Sequence, residues 1–250
     1  MLKSLTATLL IAAGLISGVA NAATLRVATN PTFPPFEFVN SETKEVTGFE
    51  MDLIRAMAKE MGYDVEILNI GFDGIIPALM AGTADVGASG FSITEERKKR
   101  VLFTDPFYKS GLTILVTKEA AKDIKTFEDL KGKTVGVQIG TTAAAKAKEI
   151  EGAKVTTFNN ASEAIMDLST GNSVAVINDR PVTDYILVQQ PALAQKTVHL
   201  TDQMLSADDF AMVVTKQNAK LQGDLNAALK TLKENGEYDK IWKKWFGEAK

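Results

Sequence analysis

Arg97 lies in the run Ser92-Ile93-Thr94-Glu95-Glu96-Arg97, just after Gly90. A guanidinium offers a planar fork of N–H donors that matches the two oxygens of a carboxylate. Together with the Ser92 hydroxyl and the Gly90 carbonyl, it could recognise the carboxylate and ammonium of an amino acid. The rest of Glu95 to Arg100 reads as a solvated helix face. A second stretch, Gln138-Ile139-Gly140-Thr141-Thr142, opens a helix, where free backbone N–H groups can seat an anion. It lacks the Lys of a nucleotide-binding glycine loop, so phosphate is a poor reading. A third stretch, Ile177 to Pro181, carries Asp179 just before a helix starting at Pro181. From sequence that carboxylate is either an N-cap or a ligand group. In the Pro-stiffened loop Asn30 to Phe38, Phe36 and Phe38 read as core packing and Phe33 as presented to a ligand.

The rest of the inventory is poor in reactive groups. The 250 residues include no Cys and one His, His199. This excludes thiolate nucleophiles, disulfides, Cys-built metal centres and paired-His zinc sites, so no cofactor and no metal is expected. The net charge is −3 and the pI about 5.4, leaving no basic field for nucleic acid or an anionic membrane surface. With 45% hydrophobic and 24% charged residues the chain is globular, as one large domain or two small ones.

These loops need elements to position them. Residues 1–22 carry Lys3, an apolar stretch from Leu9 to Ile16 and the small residues Ala20-Asn21-Ala22, a secretory signal pattern. It implies cleavage after Ala22 and a periplasmic location, with a membrane anchor as the alternative. Strands are expected at 25–29, 65–68, 84–88, 134–137, 155–158 and 174–177. Helices are expected at 48–62, 74–80, 126–132, 143–150 and 162–169, an alternation that implies mostly parallel sheets with helices on their faces. Ile76, Leu79 and Gly82 recur 89 positions on as Ile165, Leu168 and Gly171, consistent with two similar α/β lobes. The C-terminal stretch 221–250 reads as two helices broken at Asn235-Gly236, with Trp242 and Trp245 as packing anchors.

At PFEF (35–38), GFEMDL (48–53), FDGIIPAL (72–79), SITEERKK (92–99), FYKSG (107–111), GKTVGVQIGTT (132–142), NDRP (178–181) and ALKTLKENGEYDKIWKKWFG (228–247), the chain resembles the bacterial extracellular solute-binding proteins of family 3. These are the amino-acid-binding components of ABC importers, and the likeness is greatest to the glutamine-binding type. The resemblance implies a type II periplasmic-binding-protein-like α/β fold, two lobes with mostly parallel sheets joined by two crossover strands. Lobe 1 would be 23–106 with 211–250, the hinge strands 107–111 and 206–210, and lobe 2 112–205. It places Arg97, Ser92 and the Thr142 backbone, beside Thr141, on the ligand carboxylate. Asp179 and the Gly90 carbonyl fall on the ammonium, and Phe33 and Phe72 around the side chain, with Phe91 a further ligand-binding candidate.

Asn30 stands where many members carry Asp, and Gln138 and Asn178 where the glutamine type has Lys and His. Three amides without a spare charge suit a neutral polar ligand, glutamine first, and suit a cationic one poorly. The implied partners are a free L-amino acid and membrane permease subunits, the protein itself being a monomer. The rival class is an enzyme on the same fold, similar to a cyclohexadienyl dehydratase. It would need a general acid or base in the cleft, where only Asp179 is placed, with His199 beyond the site.

Overall fold

The computed structural model describes residues 22–202 and 204–248. Of the expected signal segment, residues 1–21 lie outside the described residues. The chain begins with β1 (Ala23–Thr29), followed by a small antiparallel ribbon of β2 (Thr32–Phe33), β3 (Glu37–Val39) and β4 (Val46–Thr47). Next come α1 (Phe49–Glu60), β5 (Tyr63–Asn69), α2 (Phe72–Met80), β6 (Val86–Gly87), α3 (Glu95–Lys98) and β7 (Val101–Phe103). The short strand β8 (Tyr108–Ser110) leads out of this body. It enters a second one made of β9 (Leu112–Thr117), β10 (Thr134–Gln138), α4 (Thr142–Glu149), β11 (Lys154–Phe158), α5 (Ala161–Thr170), β12 (Ala175–Asp179), α6 (Arg180–Gln189), α7 (Pro191–Ala194) and β13 (Thr197–Leu200). The chain returns through β14 (Asp208–Phe210), which pairs antiparallel with β8, and finishes with β15 (Val213–Thr215), α8 (Ala219–Glu234) and α9 (Glu237–Phe246).

Each body is built on a five-stranded sheet of the same pattern, β5-β1-β6-β15-β7 in the first and β11-β10-β12-β9-β13 in the second. The central strand β1 pairs parallel with β5 and β6, and β10 parallel with β11 and β12. The remaining pairings, through β15 and β9, are antiparallel. The sheets are therefore mixed and not mostly parallel. β9 and β15 each follow a crossing strand and run antiparallel to both of their sheet neighbours. The repeated Ile-Leu-Gly triplet falls at equivalent places. Ile76 and Leu79 bury the inner face of α2, and Ile165 and Leu168 that of α5. In both copies the glycine after the helix has positive φ, +71° at Gly82 and +82° at Gly171.

Helix α1 buries Phe49, Leu53, Ile54, Met57 and Ala58, the face expected from their spacing. Two elements are shorter than expected. Strand 84–88 reduces to Val86–Gly87, and helix 126–132 to a single 3-10 turn at Glu128–Leu130. There the Asp129 carboxylate accepts from the Lys125 and Thr126 N–H groups and holds a turn instead of letting a helix propagate. Trp242 and Trp245 are partly buried against the core of the first body, and Trp245 Nε1 donates to Asp52 Oδ2 at 2.7 Å. Among the described residues no helix is long and apolar enough to cross a membrane.

Candidate ligand-binding cleft

The carboxyl ends of β1 and β6 in one body face those of β10 and β12 in the other, the position where open α/β sheets gather ligand groups. Between them lies a small cavity. Its wall includes Asn30, Phe33, Phe72, Gly90, Ser92 and Arg97 from the first body. Gln138, Thr141, Thr142 and Asp179 contribute from the second. Two hydrogen bonds bridge the bodies across it: Gln138 Nε2 donates to Asn30 Oδ1 at 3.0 Å, and Arg97 Nη2 to the Gly140 carbonyl at 3.1 Å.

Arg97 is placed by the short helix α3, whose N-cap Thr94 accepts from the Arg97 N–H. Its Nη1 donates to the Ser92 carbonyl at 2.9 Å, and its guanidinium lies 5.3 Å from the Phe72 ring centre and 5.2 Å from that of Phe91. Those two rings stack at 4.6 Å and fix the plane beneath the charge. Burial pulls Arg97 down to about 10, which leaves it cationic at neutral pH. Phe91, a ligand-binding candidate from the sequence, thus supports Arg97 from below and is not on the cavity wall.

Thr141 is the N-cap of α4: its hydroxyl donates to the Gln138 carbonyl at 2.7 Å and accepts from the Ala144 N–H at 3.1 Å. The first turn of α4 therefore opens toward the cavity with backbone N–H groups available to an anion. Asp179 is the N-cap residue of α6, yet its side chain does no capping. Its Oδ1 accepts from the Ser110 hydroxyl at 2.7 Å, and burial pushes the carboxyl up to about 7. Gly90 has φ +57°, and a Cβ there would sit 2.9 Å from Phe33 Cε1, so only glycine lets that ring and the Gly90 backbone share the wall.

Asn178 does not join this set. Its Nδ2 donates to Thr183 Oγ1 at 3.2 Å, so the amide is turned toward α6, where α-helical backbone follows immediately and draws it in. Gln138 spends its amide N–H groups on Asn30 and on the Asn159 carbonyl, leaving Oε1 for a ligand.

The expectation of a pocket without a spare charge is overturned by Glu37, which lines the cavity wall and is fully buried. In the β2–β3 hairpin Glu37 sits directly opposite Phe33, and cross-strand partners share a face. That pairing was the signal by which the sequence could have exposed it. Ser89, Ser110 and Asp208 were missed as well. Ser89 Oγ accepts from the Asn30 N–H and donates to Glu37 Oε1, and Asp208 is a carboxylate facing Arg97.

His199 lies elsewhere, with Nε2 2.7 Å from Thr113 Oγ1 and Nδ1 2.9 Å from Asp184 Oδ1. The order hydroxyl, imidazole, carboxylate is that of a nucleophilic triad, but Thr113 is buried on β9, in the sheet between β12 and β13, away from the cleft described above.

Two α/β bodies joined by paired crossing strands around a polar cavity define a cleft-binding protein. The model of the bacterial extracellular solute-binding proteins, family 3, matches residues 25–248, and the chain belongs to that family. It is a solute-binding protein and not an enzyme. ABC transporter arginine-binding protein 1 of Escherichia coli (strain K12) is 33% identical over 230 residues, covering 92% of this chain and 93% of that protein. Two solved structures, an ancestral arginine-binding protein bound to arginine and one bound to glutamine, superpose with a TM-score of 0.85 each, at 42% and 44% identity. Each comparison covers 90% of this chain and 99% of the other.

Proposed function

We propose that the protein is the periplasmic component of an ABC importer that captures a polar L-amino acid between its two lobes and delivers it to membrane permease subunits. The single observation that carries this reading is that Arg97 from one lobe and Asp179 from the other line one cavity, a cation and a buried carboxyl for the two ends of a zwitterion. In this reading the carboxylate lies on Arg97, Ser92 and the N-terminus of α4. The ammonium lies on Asp179 and the Gly90 carbonyl. The side chain runs between Phe33 and Phe72 toward Asn30, Gln138 and Glu37. The lobes are 23–106 with 211–250 and 112–205, and 107–111 with 206–210 acts as the hinge.

Charge-assisted bonds of about 1.5–3 kcal/mol at both ends reach the roughly −8 kcal/mol of a micromolar complex after ordering costs. Ligands that touch both lobes favour the closed state, because only contacts unique to closure shift that equilibrium. Glutamine fits the amides, since Gln138 Oε1 accepts and the Asn30 amide donates. A second reading, a cationic side chain such as that of arginine, is favoured by Glu37, which supplies the counter-charge that amides lack.

Calorimetric titration with glutamine and arginine tests the reading. Arg97→Ala is expected to weaken binding by about tenfold or more with unchanged circular dichroism. Wild-type affinity in that variant contradicts the carboxylate assignment.

A further inference from the structure

Glu37 from β3, on the cavity wall, and Glu50 from the first turn of α1, behind it, are both fully buried. Each has one oxygen served by a donor: Ser89 Oγ donates to Glu37 Oε1 at 3.1 Å, and the Gly90 N–H to Glu50 Oε2 at 2.7 Å. The other two oxygens, Glu37 Oε2 and Glu50 Oε1, receive no N–H or hydroxyl donor among the described residues. The two groups are held side by side, because the Glu50 N–H donates to the carbonyl of Phe36, next to Glu37, at 3.0 Å, and their donors Ser89 and Gly90 are consecutive. Carboxylate oxygens only accept, so two buried together without donors favour a proton on one of the groups, which can then donate to the other. Asp179 on β12 is the other charged group facing Glu37, and it is also acidic. Among the described residues no Lys or Arg bonds either member of the pair. Burial raises both carboxyls, and for Glu37 repulsion by Glu50 adds to it.

We propose that Glu37 and Glu50 form a proton-exchange dyad that matches the cleft to the charge of the ligand side chain. A cationic side chain entering beside Glu37 displaces one carboxyl proton to water, and the charge of the site is unchanged. A neutral polar side chain leaves that proton in place, and the protonated carboxyl serves as a donor to it. The same cavity therefore takes amides and guanidinium or ammonium groups, with selectivity set by pH: acidification weakens cationic ligands relative to neutral ones. This rests on the amino-acid reading above. Asp179 titrates too, but it meets the ammonium common to every amino acid, so its contribution cancels between two ligands.

Calorimetry of the mature protein with arginine and with glutamine, at pH 7 in phosphate and in Tris, counts the protons released with each. A guanidinium stays protonated throughout, so the ligand side chain is not their source. Arginine is expected to release up to about one proton more than glutamine, and Glu50→Gln to abolish the difference. Equal release in the wild type overturns the dyad. Infrared spectra give the same answer without a variant. The protonated-carboxyl band of the glutamine complex is expected to shrink in the arginine complex, and an identical band in both overturns the proposal. A protein that binds neither amino acid gives a different result: it removes the amino-acid reading and the exchange built on it. The infrared band of the ligand-free Asp179→Asn protein then still reports whether the dyad holds its proton.

Discussion

Asp179 carries opposite demands in the ligand-free and liganded protein. Burial pushes its carboxyl up to about 7 from an ordinary 3.8. Between those values the folded chain holds a proton that the unfolded chain has lost. The stability this group contributes is complete below pH 3.8 and disappears as pH rises through 7. Asp179→Asn keeps the acceptor for Ser110 and removes the loss. Its ligand-free form is expected to melt above wild type at pH 8, with the gap closing toward pH 5 in calorimetric scans. The same variant is expected to bind amino acids at least about tenfold more weakly, since a neutral amide no longer balances an ammonium.

Legibility at this scale followed chemistry that one residue can announce. Arg97, Phe33 and the Gly140-Thr141-Thr142 turn declare themselves by type and by place at a strand end. Glu37 does not, because in PFEF a charged residue between two aromatics reads as the polar side of a strand. Only the hairpin register against Phe33 turns it inward. Asn178 misleads for the opposite reason, since its identity suits a ligand but Thr183 one helical turn on takes its amide.

At the scale of elements, α1 and α9 form the structural counterpart of the cleft. The Phe49 ring, buried at the start of α1, meets Phe36, Trp242 and Phe246 with centroids 6.2, 5.8 and 5.0 Å away. Phe36 ends the turn into β3, so this cluster sets the hairpin that carries Phe33 and Glu37. Phe49→Ala is expected to cost about 3–5 kcal/mol in urea unfolding, and to lower affinity less than Arg97→Ala does. Helix α1 and the break at Asn235-Gly236 were legible because apolar spacing and a left-handed glycine are local signals. Helix 126–132 was not, because Asp129 folds back on its own backbone and outweighs helix propensity. Strand direction was not legible either, since it depends on where β8 and β14 return the chain.

For the whole molecule, the α/β class and the two-lobe organisation could be read from the alternation of strands and helices and the repeat around Gly82 and Gly171. The closed arrangement could not, because it rests on bonds between residues more than 40 apart, Arg97 to Gly140 and Gln138 to Asn30. Those bonds hold the cation of one lobe and the carboxyl of the other around a single cavity. The most direct measurement is a thermal-shift screen of the protein and of Arg97→Ala against the protein amino acids, each added in large excess. A ligand at 100 times its dissociation constant adds about 2.7 kcal/mol, which in a chain of this size raises the melting temperature by roughly 5–10 °C. The expected result is such a rise in wild type with one or a few polar amino acids, glutamine and arginine foremost, and its loss in Arg97→Ala. No rise with any amino acid, or an equal rise in both proteins, contradicts it.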